Sequence, residues 1–221
     1  MEQRRDSATA YIILADGFET IEALTPLDVL RRCGVEVTTI SLNQTRAVRS
    51  SHGVTVEADA TMEEFMHNCN CCASAIGTGT NSSIAGTSSS AGSSTTASSA
   101  VRQALILPGG YPGYKNLCES AEVGALITQF HKEGKLLCAI CGAPTALKAN
   151  QICRGAAITC HTSVKEELSD YYSILSSAVV KYMNIITGMG AGRSLDFAFA
   201  IAESLTSKEK VEEIKAKMEI I

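Results

Sequence analysis

Short apolar runs alternate with longer amphipathic stretches along most of this chain, and that pattern predicts strands followed by helices. Tyr11 to Ala15 is brief, branched and bounded by polar residues, as a buried strand would be. Asp16-Gly17 makes a turn. A helix is expected from Glu19 to Arg32, with Ile21, Leu24, Leu27 and Leu30 at three-residue spacing as its apolar row and Gly34 as its stop. Val35 to Leu42 is the next expected strand, followed by a hairpin-like stretch at Val54 to Val56 and a short helix from Met62 to His67.

The pattern returns at Ala104 to Leu107, a strand ending in Pro108-Gly109-Gly110. A helix from Ala121 to Lys132 stops at Gly134, and a strand from Lys135 to Ile140 runs straight into Cys141-Gly142 and another helix. Ala156 to Cys160 is expected as a strand, Ser163 to Asp170 as a helix, and two strands near Val179 and Ile185 lead into the glycine-rich Gly188 to Gly192. Helices Ser194 to Ser204 and Lys208 to Lys217 close the chain. Strands alternating with helices predict an α/β fold: a doubly wound, mostly parallel sheet sandwiched by helices.

Composition alters this picture in one place. Residues Ala73 to Ala100 are almost only Ser, Thr, Ala, Gly and Asn, which cannot bury enough apolar surface to offset their ordering entropy. The expectation is one domain over residues 1–221, interrupted by a disordered insertion at about 69–101. A hydrophobic fraction of 45% suffices for a core, and a net charge of −4 offers no basic surface to nucleic acid or anionic lipid. The N-terminal residues lack the apolar stretch of a secretory signal, and no apolar run is long enough to span a bilayer, so the expected address is cytoplasmic.

Nine cysteines call for an explanation. An odd count without a secretory signal argues against a disulfide framework, and no His pair accompanies the cysteines at zinc spacing. Cys69, Cys71 and Cys72 cluster at the root of the insertion with nothing but spacing to suggest a metal or redox role. Cys138 and Cys141 form a CxxC, but the first lies inside an apolar strand, whereas a thioredoxin-like dithiol needs it at a helix start.

Ligand sites in such sheets form beyond the carboxyl ends of the strands. Glu19, Glu22, Gly109, Gly110, Cys141 and His161 all fall at expected strand ends. Cys141 sits where a strand turns at once into a helix, the setting of a nucleophile elbow, where helix-start amides favour thiolate over thiol. The N–H of Gly142, with that of Gly109 or Gly110, would form an oxyanion hole. Glu22 is either a favourable partner of the helix dipole or a carboxyl raised by burial that hydrogen-bonds the sulfur and relays protons. Glu19, nearer the turn, is the weaker choice. His161 is either a general acid/base or a cap before Ser163.

At these residues the chain resembles the ThiJ/PfpI superfamily, in the branch of the parkinsonism-associated deglycase. The matching stretches are Ala15 to Glu22, Leu107 to Gly110, Ala139 to Leu147, Thr159 to His161, and Gly190 to Gly192 with Asp196-Phe197-Ala198. The resemblance implies a flavodoxin-like homodimer with a cofactor-free site. The reactive cysteine would be Cys141, the glutamate contacting it Glu22, the active-site histidine His161, and the backbone donors Gly110 and Gly142. It further implies glutathione-independent glyoxalase activity on dicarbonyls such as methylglyoxal, or deglycation of glycated groups. The alternative is a non-enzymatic redox sensor or redox-regulated chaperone using an oxidisable Cys141, with Cys160 as a candidate resolving thiol. The chain departs from the family where arginines are common, with His52 and Met189 there instead, and Thr162 stands where a proline is usual. Gly142 after the cysteine argues against PfpI-type peptidases, which carry histidine there.

Overall fold

A computed structural model of the chain describes residues 8–68 and 102–220. The expected insertion and the Cys69/Cys71/Cys72 cluster lie outside the described residues. The chain order is β1 (Thr9–Leu14), α1 (Thr20–Arg32), β2 (Glu36–Ser41), β3 (Ala47–Arg49), β4 (Thr55–Glu57), β5 (Ala60–Thr61) and α2 (Met62–Asn68). After the undescribed stretch come β6 (Gln103–Leu107), α3 (Gly113–Glu119), α4 (Ala121–Lys132), β7 (Leu136–Ile140), α5 (Pro144–Ala149), β8 (Ala157–Ile158) and α6 (Lys165–Leu168). The remainder is β9 (Ser173–Ile174), β10 (Val179–Tyr182), β11 (Ile185–Gly188), α7 (Ser194–Leu205) and α8 (Lys208–Lys217).

Seven strands form the central sheet in the order β10-β11-β7-β6-β1-β2-β5, all parallel to their neighbours except β10, which runs antiparallel to β11. Both faces are covered, because consecutive residues of a strand point to opposite sides. Ile12, Leu14, Ile106, Cys138 and Ile140 face a core shared with α1, α7 and α8. Ile13, Leu105, Leu107, Leu137 and Ala139 face a second core with α4 and α5. The doubly wound sandwich expected from the alternation is the fold observed.

Three details differ from the sequence pattern. The strand expected at Ala156 to Cys160 shrinks to the two residues of β8, which leaves the main sheet and pairs with β9 instead. The helix expected from Ser163 is a 3-10 turn at Thr162–Val164 followed by the four residues of α6. The third concerns α1. Its buried residues are Glu22, Ala23, Pro26, Val29 and Leu30, while Ile21 is 48% exposed and Leu24 and Leu27 only half-buried. The helix is therefore turned relative to its expected apolar row, and a carboxylate faces inward.

The strand order positions the site. β1 has β2 on one side and β6 on the other, so the chain switches direction of winding between β1 and β6, where a crevice opens past the strand ends. The turn after β1, the Pro108-Gly109-Gly110 turn after β6 and Cys141 after the adjacent β7 all reach that crevice.

Candidate active site

Cys141 follows the last residue of β7 with φ of +64°, a left-handed conformation costly for a residue with a Cβ. Its N–H donates to Gly188 C=O at 3.0 Å and its C=O accepts from His161 N–H at 2.9 Å, pinning the turn to β11 and to the loop after β8. Gly142 lies against Tyr114, and a Cβ there would sit 2.7 Å from the ring. The amides of Gly110 and Gly142 both hydrogen-bond the Cys141 sulfur. Gly110, at φ of +90°, turns its amide where a side chain would collide with the Gly17 and Phe18 backbone.

Glu22 reaches the same point from the first turn of α1. The helix begins there because Glu19 caps it, its carboxylate accepting the Glu22 N–H at 2.8 Å. Glu22 is fully buried, and its Oε2 accepts the N–H of Gly109 at 2.8 Å. Oε1 is buried without a hydrogen bond of good geometry, although the Cys141 thiol bears on the same carboxylate. Desolvation pushes Glu22 from its ordinary 4.5 to about 7, helped by the nearby Glu19, while the Gly109 amide and the thiol pull the other way.

The sequence places an ionised Cys141 at a helix start, and here the structure requires a correction. Burial first, then the charge and hydrogen bond of Glu22, push the thiol up to about 12, and the Gly110 and Gly142 amides offset only part of this. The helix behind it, α5, has only six residues, so its dipole adds little. The sulfur and carboxylate form a coupled pair that holds one proton between them from about pH 7 to about pH 12. In this arrangement Glu22 is a base poised near neutrality, and the thiol is its acid.

His161 is exposed, and its ring accepts the Ser163 N–H at Nδ1 at 3.2 Å, capping the 3-10 turn. That bond makes Nδ1 an acceptor, so the proton of the neutral ring sits on Nε2. Capping and a role in the crevice are thus compatible, because they use different nitrogens. The crevice is a cavity of about 810 Å³ lined by Glu22, Gly110, Cys141, His161, His52 and Met189, among others. His52 lies 72% exposed on its rim with Nδ1 3.9 Å from Glu19. Cys138 is fully buried in the core shared with α1 and α7 and is pushed well above its ordinary value by that burial, which removes it as a dithiol partner. Cys160 is buried as well. Among the described residues, no group of three or more His, Cys, Asp or Glu is placed to hold a metal ion.

One contributor was given another role from sequence and one went unassigned. Gly109 serves the carboxylate rather than an oxyanion, and Arg193 reaches the cavity rim from the turn before α7. Gly109 carries a usable signal, since a glycine pair directly after a buried strand marks a close backbone approach. Arg193 carries none.

Comparison with known proteins agrees with this fold. Residues 8–204 match the model of the DJ-1/PfpI family. The protein dj-1beta of Drosophila melanogaster is 33% identical over 209 residues, 94% of this chain and 95% of that protein. A glutathione-independent glyoxalase of Caenorhabditis elegans is 38% identical over 107 residues, 48% of this chain and 56% of that protein. The crystal structure of Drosophila melanogaster DJ-1beta superposes with a TM-score of 0.79 at 31% identity, covering 97% of this chain and 99% of that one.

Proposed function

Since this chain belongs to the DJ-1/PfpI family, we propose that it is a cofactor-free glyoxalase that converts reactive dicarbonyls to 2-hydroxy acids through Cys141. The observation that carries this reading is the buried Glu22 carboxyl, raised to about 7, coupled to a thiol that receives two backbone amides. As sulfur adds to the aldehyde carbon, its proton passes to Glu22 and the carbonyl electron pair becomes an oxyanion. The amides of Gly110 and Gly142 stabilise that charge, and Glu22 returns the proton to give a hemithioacetal. Glu22, with His161, then moves a proton from the former aldehyde carbon to its neighbour while the hydroxyl proton passes to the neighbouring oxygen, leaving a thioester. Water hydrolyses the thioester, restoring the thiol and releasing the acid. The same addition to glycated amino groups would amount to deglycation.

The crevice is open enough for a small dicarbonyl, with Arg193 and His52 at its rim and Met189 in its lining. A homodimer is part of the proposal. The support is Ile21, exposed on α1, together with exposed Leu195 on α7, which packs along α1.

Lactate formed from methylglyoxal by the pure protein, without glutathione, tests the activity. Turnover no greater than that of a Cys141→Ser variant would refute it. Selective sulfinate at Cys141 after mild peroxide, with no such turnover, would favour the redox sensor instead.

A further inference from the structure

A second cysteine sits beside a histidine on the opposite side of the molecule from α1. Cys153 lies in the loop between α5 and β8, half-buried, with φ of +48°. Its Sγ stands 3.8 Å from Nε2 of His131, in the last turn of α4. Nδ1 of His131 is buried and has no hydrogen-bond partner, so among the described residues the ring's polar contact is with the sulfur. Arg154, stacked over the Tyr171 ring at 5.5 Å, and Tyr172, whose hydroxyl donates to Ile152 C=O at 2.7 Å, complete the charged and titratable surroundings.

We propose that Cys153 and His131 form a second reactive thiol site, modified by small uncharged oxidants such as hydrogen peroxide, independently of Cys141. A half-buried thiol is a poor nucleophile unless a base takes its proton as it reacts. His131 Nε2 is the base in contact. The sulfur attacks one peroxide oxygen, the S–O bond forms as the O–O bond breaks, and the thiol proton passes through His131 to the departing hydroxide. Sulfenic acid and water result, with sulfur oxidised and peroxide reduced. The half-buried sulfur and the buried, partnerless Nδ1 favour a neutral oxidant over a charged one.

The protein supplies its own control. Cys118 is also half-buried, but its thiol is hydrogen-bonded to Thr145 rather than to an imidazole. The experiment treats the full chain carrying Cys141→Ala with peroxide, traps sulfenic acid with dimedone, and follows each cysteine by peptide mass spectrometry. Cys153 should label at least about tenfold faster than Cys118, as expected for a positioned base. His131→Gln should bring Cys153 down to the Cys118 rate. Equal rates at the two cysteines, or a Cys153 rate indifferent to His131→Gln, would overturn the proposal. Should that variant fail to fold, the Cys153-to-Cys118 ratio in the His131 protein decides alone.

Discussion

Gly109 donates its N–H to Glu22 Oε2 at 2.8 Å, tying the turn after β6 to the first turn of α1. The bond exists only because Gly109 has no side chain: a Cβ there would stand 2.6 Å from both Cys141 Cβ and Glu22 Oε2. Gly109→Ala should therefore wedge the pair apart and cost about 1–3 kcal/mol. Urea denaturation together with Cys141 alkylation tests this, and unchanged values for both would show that the close approach is unimportant.

The raised carboxyl of Glu22 makes stability depend on pH with a definite sign. Between the ordinary 4.5 and about 7 the folded chain keeps a proton that the unfolded chain releases. Stability from this group therefore falls as pH rises through that window and stays reduced above it. Going from pH 5 to pH 8, wild type should lose about 2–3 kcal/mol relative to Glu22→Gln, which mimics the neutral carboxyl. Parallel denaturation curves at the two pH values would contradict the buried placement of the acid.

A base that ionises near 7 should govern the sulfur's reactivity. Alkylation of Cys141 is expected to rise through about pH 7, following Glu22 rather than free thiol. In Glu22→Gln that step should vanish, with a loss of about 100-fold at pH 8. A wild-type profile with one midpoint near 9, insensitive to the substitution, would dismiss Glu22 as the base.

The two nitrogens of His161 can be separated by substitution. His161→Ala should lose the cap on Ser163 and about 1 kcal/mol of stability. His161→Asn keeps an acceptor for that N–H, so its stability should recover while dicarbonyl turnover remains reduced by about tenfold or more. Full activity in His161→Asn would reduce this residue to a cap.

Ile21 is nearly half exposed on the outward row of α1, where a second copy would cover it. Ile21→Lys should leave the monomer fold intact, as judged by circular dichroism. It should shift the sedimentation equilibrium from dimer towards monomer by more than about tenfold in Kd. A wild-type protein that is monomeric at tens of micromolar would remove the dimer from the proposal.

The strand-helix alternation was enough to foresee the sandwich, because periods of two and of about 3.6 register directly which residues can share a face. It also brought Cys141, Glu22 and Gly110 to neighbouring strand ends. The orientation of α1 was not legible. Ile21, Leu24 and Leu27 made an apolar row as good as the one buried, and only the Glu19 cap and the Gly109 bond turn Glu22 inward. A carboxyl raised by burial was one of the two readings of Glu22, but the protonation of the thiol was hidden. Motifs name the sulfur and the carboxyl, but depth of burial sets their ionisation, and depth belongs to the packed molecule. β8 was misjudged for a related reason: an apolar run says that a strand is covered, not which sheet it joins.

The φ of +64° at Cys141 means that the backbone would accept glycine or asparagine at this position more comfortably than the residue it holds. Selection for durability alone would tend to erase the sulfur, and each round of stabilising substitutions would favour an inert turn. A chain that needs this sulfur must keep it against that drift, so robust descendants that have lost the cysteine are the ones to expect where its chemistry is no longer needed.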